Sequence, residues 1–184
     1  MLGRTKRLEG ESVELRRHVR ENYSLYARWY GDPEIWHLTS WTSAPLSRSA
    51  VERLFDEREK SITDESFAIH ARGMREPIGV ISLMNVSEAN ASADLSVILG
   101  PSEERDQGYG ADAIRTLLDY AFGELELHRV GLSVFEFNEP AIATYEKLGF
   151  RKEGRYREAV KRDGTFRDAI LMSLLSQEWD GANP

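Results

Sequence analysis

The chain contains no cysteine. That excludes disulfide staples, a thiol nucleophile and thiolate metal sites together. Its 4 histidines, His18, His37, His70 and His128, form no HxxxH or similar pair, so no metal is expected. No apolar run approaches the roughly 20 residues that a membrane helix needs. The start, MLGRTKRLEGESVELR, goes from basic to acidic without the apolar segment of a secretory signal. A cytoplasmic protein without membrane association is the expectation. Positive charge is also scarce: 24 Lys+Arg against 31 Asp+Glu give a net charge of −7 and a pI of about 5.2. The whole-chain field therefore opposes nucleic acid and anionic membrane and favours a cationic or neutral partner.

What remains is globular. With 184 residues, 41 % apolar and 30 % charged, the chain has the size and composition of one domain. We expect that domain to span 1–184, with an ordered core over about 8–177 and a frayed tail at 178–184. Val13 and Leu15 alternate with charge in 11–16, which suits a half-buried strand. Tyr23, Tyr26, Ala27 and Tyr30 recur at helical spacing, and Asp32-Pro33 breaks and restarts the helix. Ser47 suits the N-cap of a helix reaching about residue 60.

From Glu65 the period changes to that of strands, with 67–71, 78–86 and 94–99 separated by polar turns, an antiparallel meander. A glycine-bearing loop over 101–110 leads into a strongly amphipathic helix, in which Ala111, Ile114, Leu118 and Ala121 share one face and Asp112, Arg115 and Asp119 another, polar one. A strand follows over 129–137, then a helix from Glu139 ending at Gly149. Two final strands flank an Asp163-Gly164 hairpin signal. The fold class read from this order is α+β, a mostly antiparallel sheet with helices.

Two segments carry chemistry. The string Arg105-Asp106-Gln107-Gly108-Tyr109-Gly110 lies between a strand and a helix. Its glycines permit close backbone approach, and the helix start presents unpaired N–H groups and a positive dipole end to an anion, a diphosphate above all. A GxGxxG fingerprint on a first strand and the GK[ST] of a P-loop are both absent. About 30 residues on stands Asn138-x-x-Ala141-x-x-x-Tyr145-x-Lys147-Leu148-Gly149-Phe150.

Together, residues 92–175 resemble the GNAT superfamily of acetyl-CoA-dependent N-acetyltransferases. The wording around LHRV at 127–130 and across 153–175 is similar to the branch that includes the ribosomal-protein N-terminal acetyltransferases and many polyamine and small-molecule acetylases. The resemblance implies a central twisted sheet of about seven strands, splayed between the fourth and fifth, with helices on both faces. It implies acetyl-CoA as co-substrate, lying in that opening. The backbone of Val97, Ile98 and Leu99 would pair with its pantetheine amides, the amides from Arg105, Asp106, Gln107, Gly108, Tyr109 and Gly110 to Ala111 would cradle its diphosphate, and Asn138 would touch the CoA arm. Tyr145 would sit near the sulfur as general acid, a phenol with an ordinary pKa of about 10 being protonated at neutral pH.

Two departures from the family pattern bear on this. Asp106-Gln107 brings less positive charge to the diphosphate than the family's basic pairs do. Ser133 stands where some relatives place a glutamate base, which leaves Asp94 as the candidate base, with Glu136 behind it. Acceptor specificity falls to 28–46 and 160–166, where Tyr30, Trp36 and Trp41 are candidates to stack on an apolar or cationic amine. The basic run from Arg151 to Arg162 reads as a solvated hairpin face. Without a cysteine, the acetyl group would pass directly to a primary amine within a ternary complex: a protein N-terminus, a polyamine, an antibiotic or an amino acid. The branch also implies a homodimer paired through its C-terminal strands. The competing reading is a CoA-binding regulatory or interaction protein of the same fold with little turnover.

Overall fold

The computed structural model describes residues 5–100 and 107–180. Its strands and helices run β1 (Arg7–Glu9), β2 (Val13–Arg16), α1 (Tyr23–Tyr30), α2 (Pro33–Thr39), α3 (Arg48–Arg58), β3 (Glu65–Ala71), β4 (Gly79–Ser87), β5 (Ser92–Leu99), α4 (Tyr109–Asp119), β6 (Arg129–Phe135), α5 (Glu139–Lys147), β7 (Arg151–Arg162) and β8 (Thr165–Leu175). The strands form one sheet in the order β1-β2-β3-β4-β5-β6-β8-β7. Every pairing is antiparallel except β5 with β6, which is parallel and holds only over Ser92↔Arg129, Ala93↔Val130 and Asp94↔Gly131. Beyond Asp94 the two strands part. These are the fourth and fifth of the strands expected from sequence; β1 is an eighth, too short for its three residues to show a period.

Both faces of the sheet are covered, and alternation along β3 shows how. Phe67 and Ile69 join a core shared with Ile114, Leu117 and Leu118 of α4, whereas Ala68 between them packs with Tyr26, Trp29 and Phe55 of α1 and α3. The strand is buried at every residue, Ser66 and His70 beside Ala68 included. The helices start where their caps dictate. Asp32 accepts from the amides of Glu34 and Ile35 at 2.8 and 3.1 Å, and Ser47 from that of Ala50 at 3.3 Å. The Asp163-Gly164 turn has φ of +48° and +79°, as a two-residue hairpin of strand-compatible twist requires.

Three expectations change. The chain is still anchored at 178–179, where fraying was expected: Glu178 accepts from the Leu175 amide at 3.1 Å and the Trp179 indole donates to Asp119 at 2.9 Å. Asp112 is not on a solvated helix face. It is buried and accepts from the amides of Glu11, Ser12 and Val13 and from the Ser12 hydroxyl, at 2.6–3.2 Å, which ties α4 to the turn between β1 and β2. Burial works to raise its pKa, but these donors prevail and hold the carboxyl below its ordinary value. Arg162 is not on a solvated face either; it is buried.

Candidate functional site

The parting of β5 and β6 opens a cavity of about 930 Å³, a volume typical of small-molecule sites. Residues of both parities line it: Asp94, Ser96 and Ile98 as well as Leu95, Val97 and Leu99 on β5, and Ser133 and Phe135 as well as Leu132 and Val134 on β6. Successive strand residues point to opposite faces. A cavity lined by both sets therefore passes through the sheet and opens on both sides of it.

On one side stand α4 and α5. Gly108 caps α4 with φ of +82°, a conformation that favours glycine, and a Cβ there would meet nothing within 4 Å. The start of this 11-residue helix thus presents bare backbone beside Gly110 and Ala111, which line the cavity. Across the gap, the edge of β5 beyond Asp94 has no strand opposite it, so every second peptide points its N–H and C=O into the cavity. An extended chain of amides ending in a diphosphate fits both features, by strand-like pairing along 97–99 and by anion binding at the α4 start.

Tyr145 projects from α5 into this side, its ring 5.7 Å from that of Phe150. Burial alone, with no charge or hydrogen bond sharing in it, pushes its phenol up to about 12. Asn138 lines the cavity but its amide is engaged twice, accepting from the Ala141 amide at 3.4 Å and donating to the Leu38 carbonyl at 3.2 Å.

On the other side stand α2 and the loop after it. Glu34, Ile35, Leu38 and Thr39 contribute to the wall, together with Trp41, which is 51 % exposed and lies 5.0 Å from the ring of Phe135. Asp94 sits where the strands part, on this face, accepting from the Asn85 amide group at 3.0 Å. Glu153 at the rim forms a bidentate pair with Arg129 at 2.5 and 2.7 Å. The Arg129 hydrogen bond holds the Glu153 carboxyl down at about 2. None of the four histidines lines the cavity. His18 is buried in the α1–α3 core between the Tyr26 hydroxyl and Ser66, and desolvation, helped by Arg58 and Arg17, pushes it down to about 3.

The structure thus brings Asp94, Val97, Ile98, Leu99, Gly108, Gly110, Ala111, Asn138, Tyr145 and Trp41 onto one cavity. It does not bring Tyr30 or Trp36 there. Tyr30 packs against Phe55 at 5.7 Å and accepts from Arg58 at 3.1 Å, while Trp36 donates to the Thr42 carbonyl at 3.0 Å and lies under the Arg162 guanidinium. Tyr30 thus belongs to the α1–α3 core, and Trp36 lies behind the wall beneath Arg162. Gln107 and Tyr109 flank the α4 start without lining the cavity, Tyr109 packing on the core instead. Arg105 and Asp106 lie outside the described residues. Glu136 is tied to Arg155 at 3.1 Å and to the Asp168 amide at 3.3 Å, and does not reach the cavity. Sequence reasoning missed Glu34, Phe135, Tyr156 and Glu153 as lining; only their place on the same cavity, far apart in sequence, marks them.

Comparison with known proteins agrees with this geometry. Residues 12–151 match the family model described as an acetyltransferase (GNAT) domain. The chain is 34% identical over 172 residues to an uncharacterized, SPbeta prophage-derived N-acetyltransferase, YokL, of Bacillus subtilis, covering 93% of this chain and 94% of that protein. It is 27% identical to the spermidine N(1)-acetyltransferase of Escherichia coli K12 over 175 residues, 94% of this chain and 85% of that one. The crystal structure of the Vibrio cholerae spermidine N-acetyltransferase, in complex with CoA and spermine, superposes with a TM-score of 0.83 at 24% identity, covering 91% of this chain and 97% of that chain, a likeness of fold. A sheet parted between its two central parallel strands, with bare helix-start backbone on one side and the family match across 12–151, make this chain a member of the GNAT family of N-acetyltransferases, which move an acetyl group from acetyl-CoA to an amine.

Proposed function

We propose that the acceptor is a cationic primary amine of the polyamine type, acetylated directly in a ternary complex. The observation that carries this reading is the two-sided cavity. Its amide-bearing side suits acetyl-CoA, and its opposite side gathers the carboxylates of Glu34 and Asp94 and the Arg129–Glu153 ion pair with the aromatic faces of Trp41, Phe135 and Tyr156, a lining whose net negative charge attracts ammonium groups and repels acids. Relatives named spermidine N-acetyltransferases support the same class. Asp94 takes the ammonium proton: it stands where the two sides meet, opposite Gly131, which brings no side chain against it.

The freed amine attacks the acetyl carbonyl, the carbon–sulfur bond breaks as the tetrahedral adduct collapses, and the nitrogen's second proton leaves through solvent, which restores the proton that Tyr145 gives up. Tyr145 gives its phenolic proton to the departing thiolate. A phenol at about 12 is a weak acid toward a thiolate of ordinary value near 8.5, but the apolar surroundings that raise the phenol raise the thiolate's proton affinity too, which narrows the gap. The diphosphate of acetyl-CoA rests on the α4 start, with the amides of 107–111 as donors. The chain works as one acetyltransferase domain in the cytoplasm. It pairs with a second copy through β7, the sheet's exposed edge, whose residues from Arg151 to Glu158 are all solvent-facing.

A thiol-release assay with acetyl-CoA tests the reading directly. Spermidine and spermine should be acetylated with a higher kcat/KM than N-terminal peptides or neutral amines; a preference for an acidic or neutral acceptor would overturn it. Light scattering at micromolar concentration should report a dimer, and a monomer would remove the β7 pairing.

A further inference from the structure

The carbonyls at the end of α2 show how the acceptor wall is held. The last four carbonyls of any helix lack intrahelical partners, and α2, at seven residues, has little else to fix its end. The Ser40 amide returns to the Trp36 carbonyl at 3.0 Å. The Leu38 carbonyl is met by Asn138. The Thr39 hydroxyl turns back to the Ile35 carbonyl at 2.6 Å, and the His37 and Ser40 carbonyls are met by one side chain far along the chain: Arg162 donates from Nε to the His37 carbonyl at 3.1 Å and from Nη2 to the Ser40 carbonyl.

Arg162 is 5 % exposed, its guanidinium lying 4.2 Å from the centre of the Trp36 ring and 5.2 Å from that of Phe135. Arginine is suited to this place: its planar fork bonds two carbonyls at once while its faces stack on aromatic rings, and its charge complements the negative end of the helix dipole. Burying it costs solvation, which shows as a lowered pKa. The site was therefore built around those contacts and not around water.

The elements so joined are those that line the acceptor side. Glu34, Leu38 and Thr39 sit on α2, Trp41 follows Ser40, and Phe135 ends β6. None of the residues on the α4 side touches Arg162 in the contacts described. We infer that Arg162 is a positioning residue for the amine acceptor: by clamping the end of α2 and the 40–42 loop to the β7–β8 hairpin and to Phe135, it sets the shape of the acceptor wall without touching the α4 start that receives the diphosphate. This rests on the proposed reading of the two sides.

The test uses the full chain carrying Arg162→Met or Arg162→Lys, read by hydrogen exchange, by acetyl-CoA calorimetry and by steady-state rates with spermidine. For Arg162→Met, amide exchange over 33–42 should quicken at least tenfold while 109–119 stays unchanged. The KM for spermidine should rise at least tenfold, with kcat and acetyl-CoA affinity within two-fold of wild type. Arg162→Lys, which keeps the charge and one bond, should fall between. Unchanged exchange over 33–42, an unchanged spermidine KM, or an equal loss of acetyl-CoA affinity would each overturn the inference. If Arg162→Met does not fold, the same readings on Arg162→Lys decide it. A wild type that acetylates no amine would instead overturn the acceptor reading, and the exchange pattern alone would then judge the clamp.

Discussion

The two sides of the parted sheet are assembled from very different lengths of chain. The acetyl-CoA side comes from two strand-loop-helix units, β5 into α4 and β6 into α5, each contiguous in sequence. The acceptor side joins α2 and Trp41 to a guanidinium more than 120 positions later, Arg162 lying 125 residues from His37 and 122 from Ser40. Backbone functions such as a bare helix start or an unpaired strand edge can be encoded locally, because glycine and cap residues act on their own neighbours. A wall of side chains that must fit one particular amine is built by docking. On the proposed reading of the two sides, donor recognition is fixed by the fold's own backbone, and acceptor recognition is left to contacts between distant segments.

The largest expected effect lies where the sides meet. Tyr145→Phe removes one hydroxyl without emptying the space, so acetyl-CoA affinity should hold while kcat falls on the order of 10²-fold. Because burial raises the phenol to about 12, the alkaline fall in rate that belongs to Tyr145 should lie well above pH 10 in the wild type and be missing in the variant. A rate within two-fold of wild type would assign Tyr145 to packing.

Next comes the donor side alone. Gly108→Val forces a branched residue into φ of +82° at the start of α4 and should weaken acetyl-CoA binding about tenfold or more, roughly 1.4 kcal/mol, with little change in spermidine KM. Calorimetry showing full affinity in the folded variant would remove the α4 start from the site.

Asp112 sharpens the comparison from beneath, since it fixes α4 without lining the cavity. Asp112→Ala leaves three backbone amides without their acceptor and should cost about 3 kcal/mol, read as a melting temperature lower by about 6–12 °C for a chain of this size. The folded carboxyl is held below its unfolded value. Its contribution is therefore complete above the unfolded value of about 3.9 and is lost as pH falls through the folded one; Asp112→Asn should flatten that acid limb. A variant as stable as wild type at neutral pH would show that the β1–β2 turn does not hold α4.

The smallest effect belongs to the acceptor rim. Trp41→Ala should raise the spermidine KM about two- to five-fold, the worth of an exposed cation–π contact of 0.5–1 kcal/mol. Acetyl-CoA affinity should not move, and an unchanged KM would place the amine elsewhere on the wall.

The same division decides what can be read from the residues. The strand meander, the helix restart at Asp32-Pro33, the cap at Ser47 and the Asp163-Gly164 turn were legible, since each follows from local period or local backbone demand, whereas the parting of the sheet was expected only from the family resemblance. Tyr30, Trp36 and Trp41 look alike in sequence as aromatics of one segment. Only the docking of α1 against Phe55, and of Arg162 over Trp36, turns the first two away and leaves Trp41 at the cavity. Asp112 and Arg162 read as solvated charges for the same reason: the amides of 11–13 and the carbonyls of 37 and 40 that bury them arrive from the far end of the chain.

The central claim is that donor and acceptor enter from opposite sides of one split and meet within it. Initial rates of thiol release, measured while acetyl-CoA and spermidine are both varied, test this most directly. Simultaneous occupancy predicts double-reciprocal lines that intersect. Parallel lines, the mark of an acetylated enzyme formed before the amine binds, would contradict it.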